Sequence, residues 1–81
     1  MHKDKGIIEY ALGPSLEIRG NSECIVDGLK GISEYSSEKI RINLGKISVS
    51  FLGDGLFINS FSPEGATVEG TIISVEFESN A

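Results

Sequence analysis

Apolar and polar residues alternate along the middle of the chain, with the period of two that is expected of β-strands. The alternation runs through KIRINLGKISVSF (39–51), whose apolar members are Ile40, Ile42, Leu44, Ile47, Val49 and Phe51. Gly45-Lys46 divides the stretch and suits a two-residue hairpin turn with glycine first. This turn pairs Ile42 with Val49 and Ile40 with Phe51. All the apolar residues then share one face of an antiparallel pair of strands.

A second turn extends the predicted sheet upstream. Placed at Ser37-Glu38, it sets Tyr35 opposite Ile40 and Glu34 opposite Arg41. The pairing of Glu34 with Arg41 brings opposite charges together across the strands, which is favourable. The strand that ends at Tyr35 is therefore predicted to share the register of the central hairpin.

Asp54-Gly55 is a strong signal for a further hairpin with a type I′ turn. Such a turn pairs Leu52 with Phe57. The apolar face would then continue through Leu56 and Ile58. On this interpretation, four strands agree on one register and form a meander with one apolar face.

The opposite face of the predicted meander is polar, and we expect it to be solvated. Its members are Lys39, Arg41, Asn43, Ser48, Ser50 and Asn59. The exception is the point where Leu52 meets Phe57, beside Lys39. These three residues, Lys39, Leu52 and Phe57, form the candidate interface of the sequence, although single exposed apolar residues are ordinary in proteins.

One phrase occurs twice in the chain. VDGLKGISEY (26–35) and VEGTIISVEF (68–77) share the pattern V-[DE]-G-x5-E-[YF], and an L-x-I motif precedes each copy at 16–18 and 56–58. We interpret the glycine as a corner that bends or bulges a strand so that its apolar side stays inward. After Gly70, the apolar residues Ile73, Val75 and Phe77 alternate.

These patterns predict an all-β fold. We expect a small antiparallel meander that forms a sandwich or roll with an internal repeat. A β-solenoid is the alternative for short repeated strands, but two-residue turns reverse the chain instead of winding it. Residues 14–79 are predicted to be a single domain, and residues 1–13 a flexible lead-in.

Composition limits the classes of function. The chain has 81 residues, a formal net charge of −5 and 40% hydrophobic residues. Its acidic balance argues against nucleic acid and against electrostatic docking on anionic lipid. We find no transmembrane segment or signal peptide, and the lone cysteine suits a reducing compartment. We expect a cytoplasmic protein whose small core is supported by an oligomer or a partner.

Few residues carry candidate chemistry. Asp27 and Glu69, the acids of the repeated phrase, could act as an acid/base pair or bind an ion only if they converge in one cleft. His2 lies near the terminus. Cys24 reads as a small buried residue because the chain has no second histidine to activate it. We predict no catalytic residue, metal site or cofactor.

Several motifs occur in an order that is more specific than any one of them. They are P-x-[LI]-x-I-x-G within PSLEIRGN (14–21), G-[IV]-x-x-[YF]-[ST] at 31–36, E-x-I-R-[IL] at 38–42, a predicted glycine-punctuated hairpin ending in LFI, and [VL]-E-G-x-I-x-x-[VI]-x-[FY] at 68–77. Through these motifs the chain resembles the YabP/YqfC family of sporulation proteins. The segment SPEGATVEG (62–70) looks more like the YqfC branch.

The resemblance implies a protein without enzymatic activity that acts in the mother cell during spore morphogenesis, at engulfment or a later envelope stage. It also implies a protein partner such as the YqfD membrane protein, and hence a cytoplasmic location at the periphery of the forespore membrane. The short N-terminal lead-in departs from the longer helical one of YqfC-type proteins. From the residues alone, the alternative is a small-ligand or glycan-binding domain, or a weak hydrolase, that uses Asp27 and Glu69.

Overall fold

Six β-strands make up the computed structural model of this chain, which describes residues 13–80. The strands are β1 (Ser15–Arg19), β2 (Glu23–Asp27), β3 (Gly31–Tyr35), β4 (Lys39–Asn43), β5 (Ile47–Phe61) and β6 (Gly65–Ser79). They form one antiparallel sheet in the order β1-β2-β6-β5-β4-β3. The predicted all-β antiparallel fold is confirmed, and the described residues contain no helix.

The two longest strands, β5 and β6, bend in the middle, where their pairing register shifts. Gly70 adopts a φ of +125°, which disfavours any residue with a Cβ. At Gly53 an added Cβ would collide with the backbone carbonyl of Thr71. The two backbones therefore approach each other more closely than side chains would allow, and glycine is required at both positions.

The bends fold the single sheet into two layers. Layer one contains β1, β2, the first half of β6 (65–69) and the second half of β5 (56–61). Layer two contains β3, β4, the first half of β5 (47–52) and the second half of β6 (71–79). The sandwich arrangement arises because β5 and β6 each contribute one half to each layer.

Two turns brace the bends through backbone hydrogen bonds. The β1–β2 turn accepts the N–H groups of Gly70 and Ile72, at 3.2 and 2.7 Å. The β3–β4 turn accepts those of Gly53 and Leu56, at 3.1 and 2.8 Å. The backbone groups that the bends release from the sheet are thus satisfied instead of being left unpaired.

The core lies between the layers and is built from the inward side chains of both. Its buried members are Cys24, Val26, Ile40, Ile42, Leu44, Val49, Phe51, Leu56, Val68 and Ile72. The predicted central register is confirmed, since Ile42 pairs with Val49 and Ile40 with Phe51. The pairing of Glu34 with Arg41 is confirmed as well.

The hairpin predicted at Asp54-Gly55 is wrong. β5 continues through this dipeptide, and the bulged pairing of β5 with β6 resumes where Phe57 meets Glu69. Gly55 does adopt a left-handed φ of 60°, but it uses this conformation to bend the strand instead of reversing it. Leu52 therefore pairs with Lys39 and does not pair with Phe57.

The predicted solvated face is also wrong at Ser48 and Ser50, which are each only 2% exposed. Both serines lie on β5, between β4 and the second half of β6. Arg41 of β4 reaches over β5 to Glu78 of β6, with a distance of 2.9 Å between Nη2 and Oε1. The long side chains of Arg41 and Glu78 cover the two small serines between them, and this cover explains why polar residues on the outer face of β5 are buried.

The repeated phrase describes a genuine structural relation. Gly28 and Gly70 both adopt positive φ, and each stands where the chain leaves layer one for layer two. The structural equivalence differs from the sequence match in the L-x-I motif, where it is shifted by two residues. Leu16 faces Val26 as Ile58 faces Val68, so Leu16 corresponds to Ile58 instead of Leu56.

The relation amounts to an approximate two-fold axis through both layers. In layer one, the axis exchanges β1 with the second half of β5, and β2 with the first half of β6. In layer two, it exchanges β3 with the second half of β6, and β4 with the first half of β5. Hairpins connect all consecutive strands except β2 and β3, between which the chain crosses from layer one to layer two. This is the antiparallel arrangement and not the solenoid alternative. The predicted lead-in, residues 1–13, lies outside the described residues apart from Gly13.

We expect Gly70→Ala to lower the free energy of unfolding by about 2 kcal/mol or more, because it combines a disfavoured φ with a steric clash. An added Cβ would lie 2.5 Å from the carbonyl oxygen of Gly55. Gly31→Ala is the matched control, since its Cβ would meet no atom within 4 Å. Urea denaturation measures both variants, and equal stabilities would contradict the role of Gly70.

The two buried serines of β5 allow a second test. Ser48 Oγ donates a hydrogen bond of 2.9 Å to Asn80 Oδ1, whereas Ser50 Oγ is buried without a partner. Ser48→Ala should therefore destabilise the fold by about 1 kcal/mol, and Ser50→Ala should be neutral or stabilising by up to about 1 kcal/mol. Thermal and urea unfolding of the two variants would contradict this assignment if Ser50→Ala were the more destabilising.

Candidate interaction surface

Asp27 and Glu69 do not form a joint site. The neighbouring residues Val26 and Val68 are fully buried, so both carboxylates lie on the outer face of layer one. In the pairing of β2 with β6, Glu69 lies opposite Glu23, four residues along β2 from Asp27. At the rise of a β-strand, this spacing separates the two acids by about 13 Å. Two carboxylates that act on one bond or one ion must lie much closer together.

The residues of the predicted interface are divided between the layers. Lys39 lies opposite Leu52 on the outer face of layer two, and its Nζ is 3.4 Å from Glu34 Oε1. Phe57 lies beyond the bend of β5, on the outer face of layer one and opposite Glu69. The structure thus brings together Lys39 and Leu52 but places Phe57 elsewhere, and an interface role for them stays a prediction.

Cys24 is part of the core, as its sequence context indicates. Its side chain is fully buried in β2 and is a free thiol. Burial raises the pKa of the thiol from 9.0 to about 11, and a backbone hydrogen bond from the region of Glu17 opposes this shift. The thiolate that a nucleophile needs is therefore disfavoured in the folded protein. His2 lies outside the described residues.

An open groove occupies the end of the sandwich opposite the bends. It has a volume of about 670 Å³, and among the residues that line it are Asp27, Glu64, Lys30 and Lys46. The groove contains Asp27 but not Glu69. Across residues 13–80, no three His, Cys, Asp or Glu side chains are grouped closely enough to hold a metal ion. That part of the chain also contains no helix long and apolar enough to cross a membrane.

The second half of β6 has one unpaired edge. Leu44 donates a backbone hydrogen bond to Ile47. Because hydrogen-bonded and non-hydrogen-bonded pairs alternate between antiparallel strands, this bond determines which residues of layer two bond to which neighbouring strand. Ser50 of β5 therefore bonds to its partner Glu76, whose backbone N–H and C=O groups point toward β5. Val75 and Phe77, on either side of Glu76, turn their N–H and C=O groups the other way, where residues 13–80 provide no strand.

β1 has a similar edge in layer one. The backbone hydrogen bond from Gly70 to Ser22 sets the alternation between β2 and β6. As a result, the residues of β1 whose backbone groups bond to β2 are Ser15, Glu17 and Arg19. Leu16 and Ile18 therefore direct their backbone groups away from the sheet, while their side chains point toward the space between the layers.

The two-fold relation produces two seams, in each of which an edge strand of layer one lies beside an edge strand of layer two. The closed seam runs between the second half of β5 and β3. There the N–H of Ile58 donates a hydrogen bond of 2.9 Å to the hydroxyl of Tyr35. The open seam runs between β1 and the second half of β6. Its equivalent residues are Leu16 and Phe77, and phenylalanine has no hydroxyl with which to make that bond.

Apolar side chains are exposed at the open seam. Ile18 is 52% exposed, Ile73 69% and Phe77 59%. The alternation of Ile73 with Val75 and Phe77 predicts that Ile73 faces inward, but the register shift near the bend gives the inward position to the buried Ile72. Sequence reasoning misses this surface because alternation does not show which strands form the edges. The signal that could have indicated the open seam is the last residue of the repeated phrase, which is Tyr35 in the first copy and Phe77, without the hydroxyl, in the second.

Within residues 13–80, these features define a two-layer antiparallel β domain with open strand edges and an apolar seam. The model of the YabP family matches residues 12–81, and the chain belongs to that family. No curated protein and no solved structure matches the chain significantly.

Proposed function

We propose that this protein is a non-catalytic module of endospore formation, and that it acts in spore morphogenesis by binding a protein partner at the open seam. Membership of the YabP family and the sequence resemblance to sporulation proteins support the process. The exposed apolar side chains of Ile18, Ile73 and Phe77 at an unpaired strand edge support the mode of action. Unpaired edges and clustered apolar groups are features that proteins use to bind other chains.

The seam by itself supports weak binding. Full burial of an isoleucine or phenylalanine side chain contributes about 2 kcal/mol, so covering the exposed parts of Ile18, Ile73 and Phe77 contributes roughly 4 kcal/mol. This value corresponds to about millimolar affinity. Main-chain hydrogen bonds at the edge, or several copies that act together, are needed for stable recruitment. We therefore include homo-oligomer formation in the proposal.

For the partner, we propose a sporulation membrane protein of the YqfD type, which the resemblance to the YqfC branch implies. The module would then lie in the mother-cell cytoplasm, at the periphery of the forespore membrane and held there by its partner. The alternative of a glycan-binding domain or weak hydrolase depends on Asp27 and Glu69. It loses its support because these acids are four residues apart along the paired strands β2 and β6.

The test is complementation of a deletion strain in an endospore-forming host that carries this gene. Ile73→Lys should reduce heat-resistant spores to the level of the deletion, because a charge at the seam opposes apolar contact. Phe61→Lys is the matched control, since Phe61 is also exposed, at 62%, but lies on the edge of β5 away from the open seam. It should sporulate normally.

Both variants must accumulate to the wild-type level in sporulating cells, which immunoblotting checks. Normal sporulation of the Ile73→Lys strain at that level would contradict the proposal. So would normal sporulation of the deletion strain. A photo-crosslinking amino acid at position 73, compared with one at position 61, then identifies the chain that contacts the seam.

A further inference from the structure

Resting on the proposed function, we infer that the partner contributes an extended segment of alternating apolar and basic residues, which adds as a further strand to the open edge of β6. The main-chain contacts of this segment are with Val75 and Phe77. The inference is supported by three features of this edge. They are its outward backbone groups, an apolar row formed by Val75 and Phe77 on the inner face, and a charged row formed by Glu76 and Glu78 on the outer face.

The backbone of the edge is ready to pair. Val75 and Phe77 direct their N–H and C=O groups outward, and between them Glu76 bonds inward to β5. An added strand can exchange hydrogen bonds with both outward residues without disturbing the sheet. The closed seam provides no equal site, because Tyr35 already occupies the outward N–H of Ile58.

The apolar row sets every second residue of the incoming segment. Val75 and Phe77 point toward the space between the layers, as do the residues with which they pair in layer two, Phe51 and Val49. Residues of an added strand that lie directly opposite Val75 and Phe77 share this face. They would cover the exposed ring of Phe77, and β1 with its exposed Ile18 lies on the other side of the seam. Apolar residues are therefore required at these positions.

The charged row sets the residues in between. These lie on the outer face beside Ser74, Glu76 and Glu78. Glu78 is held by Arg41 at 2.9 Å, whereas Glu76 forms no ion pair within residues 13–80. A lysine or arginine of the incoming strand would supply the missing cation next to Glu76, and the net charge of −5 favours the approach of a basic segment.

A second copy of this chain is a poorer occupant. If two β6 edges paired antiparallel about Glu76, the two Glu76 side chains would lie directly opposite each other. Like charges in that position destabilise a strand pair. The edge therefore disfavours its own sequence and favours a basic one.

The experiment uses the full chain, labelled for NMR, and two synthetic peptides of about eight residues, long enough to span the edge. One alternates lysine with valine and the other alternates glutamate with valine. We expect the lysine peptide to shift the resonances of residues 73–79 and to slow amide exchange at Val75 and Phe77. The glutamate peptide should do neither.

A charge reversal links the effect to one residue. Glu76→Lys should weaken binding of the lysine peptide about fivefold to tenfold, as expected when one exposed charge pair is reversed. Glu38→Lys is the control, because Glu38 is exposed in the β3–β4 turn and its reversal changes the net charge equally. It should reduce affinity by no more than about twofold, through long-range charge alone.

Three results would overturn the inference: equal binding of the two peptides, equal effects of Glu76→Lys and Glu38→Lys, or slow exchange of Val75 and Phe77 in the free protein, which would show an edge already occupied. The outcome is separable from that of the proposed function. If the Ile73→Lys strain loses its spores but the protein does not prefer the lysine peptide, the proposed function at the seam is supported and the basic segment is excluded. If the strain sporulates normally but the protein binds the lysine peptide selectively, the preference for a basic segment is supported and the proposed function is excluded.

Discussion

The close approach of β5 and β6 at their bends is the constraint on which the rest of this fold depends. Gly53 faces the carbonyl of Thr71, and Gly70 faces that of Gly55, at distances that leave no space for a Cβ. Only because these positions lack side chains can two long strands turn together and fold one sheet into two layers. That folding encloses a core within a short chain, where a flat sheet of the same strands would leave one apolar face uncovered.

The same bends determine where the sheet ends. β5 and β6 each serve both layers, so each layer ends in an edge strand on either side, and the approximate two-fold axis arranges these edges as two seams. One seam is closed by the hydrogen bond between Tyr35 and Ile58. The other has Phe77 and Leu16 at the equivalent positions and stays apolar. A difference of one hydroxyl within a repeated phrase thus distinguishes a sealed edge from an edge open to a partner.

Sequence reasoning finds the features that depend on near neighbours. The register of Ile42 with Val49 follows from a two-residue turn between them, and the alternation around it identifies most of the core. It fails at Asp54-Gly55, because the same left-handed glycine can reverse a strand or bend it, and the choice depends on β6, which is distant in sequence. It also cannot show that Ile18 and Phe77 are exposed, since their exposure comes from strand order and not from alternation.

Amide hydrogen exchange of the isolated protein, followed by NMR, tests the contrast between the two seams most directly. We expect the amide of Ile58 to exchange slowly and that of Leu16, its two-fold equivalent, to exchange rapidly. Tyr35→Phe should then make Ile58 exchange as rapidly as Leu16, because the variant removes the accepting hydroxyl. Equal protection of the two amides in the wild-type protein, or an unchanged rate at Ile58 in Tyr35→Phe, would contradict the assignment of one closed and one open seam.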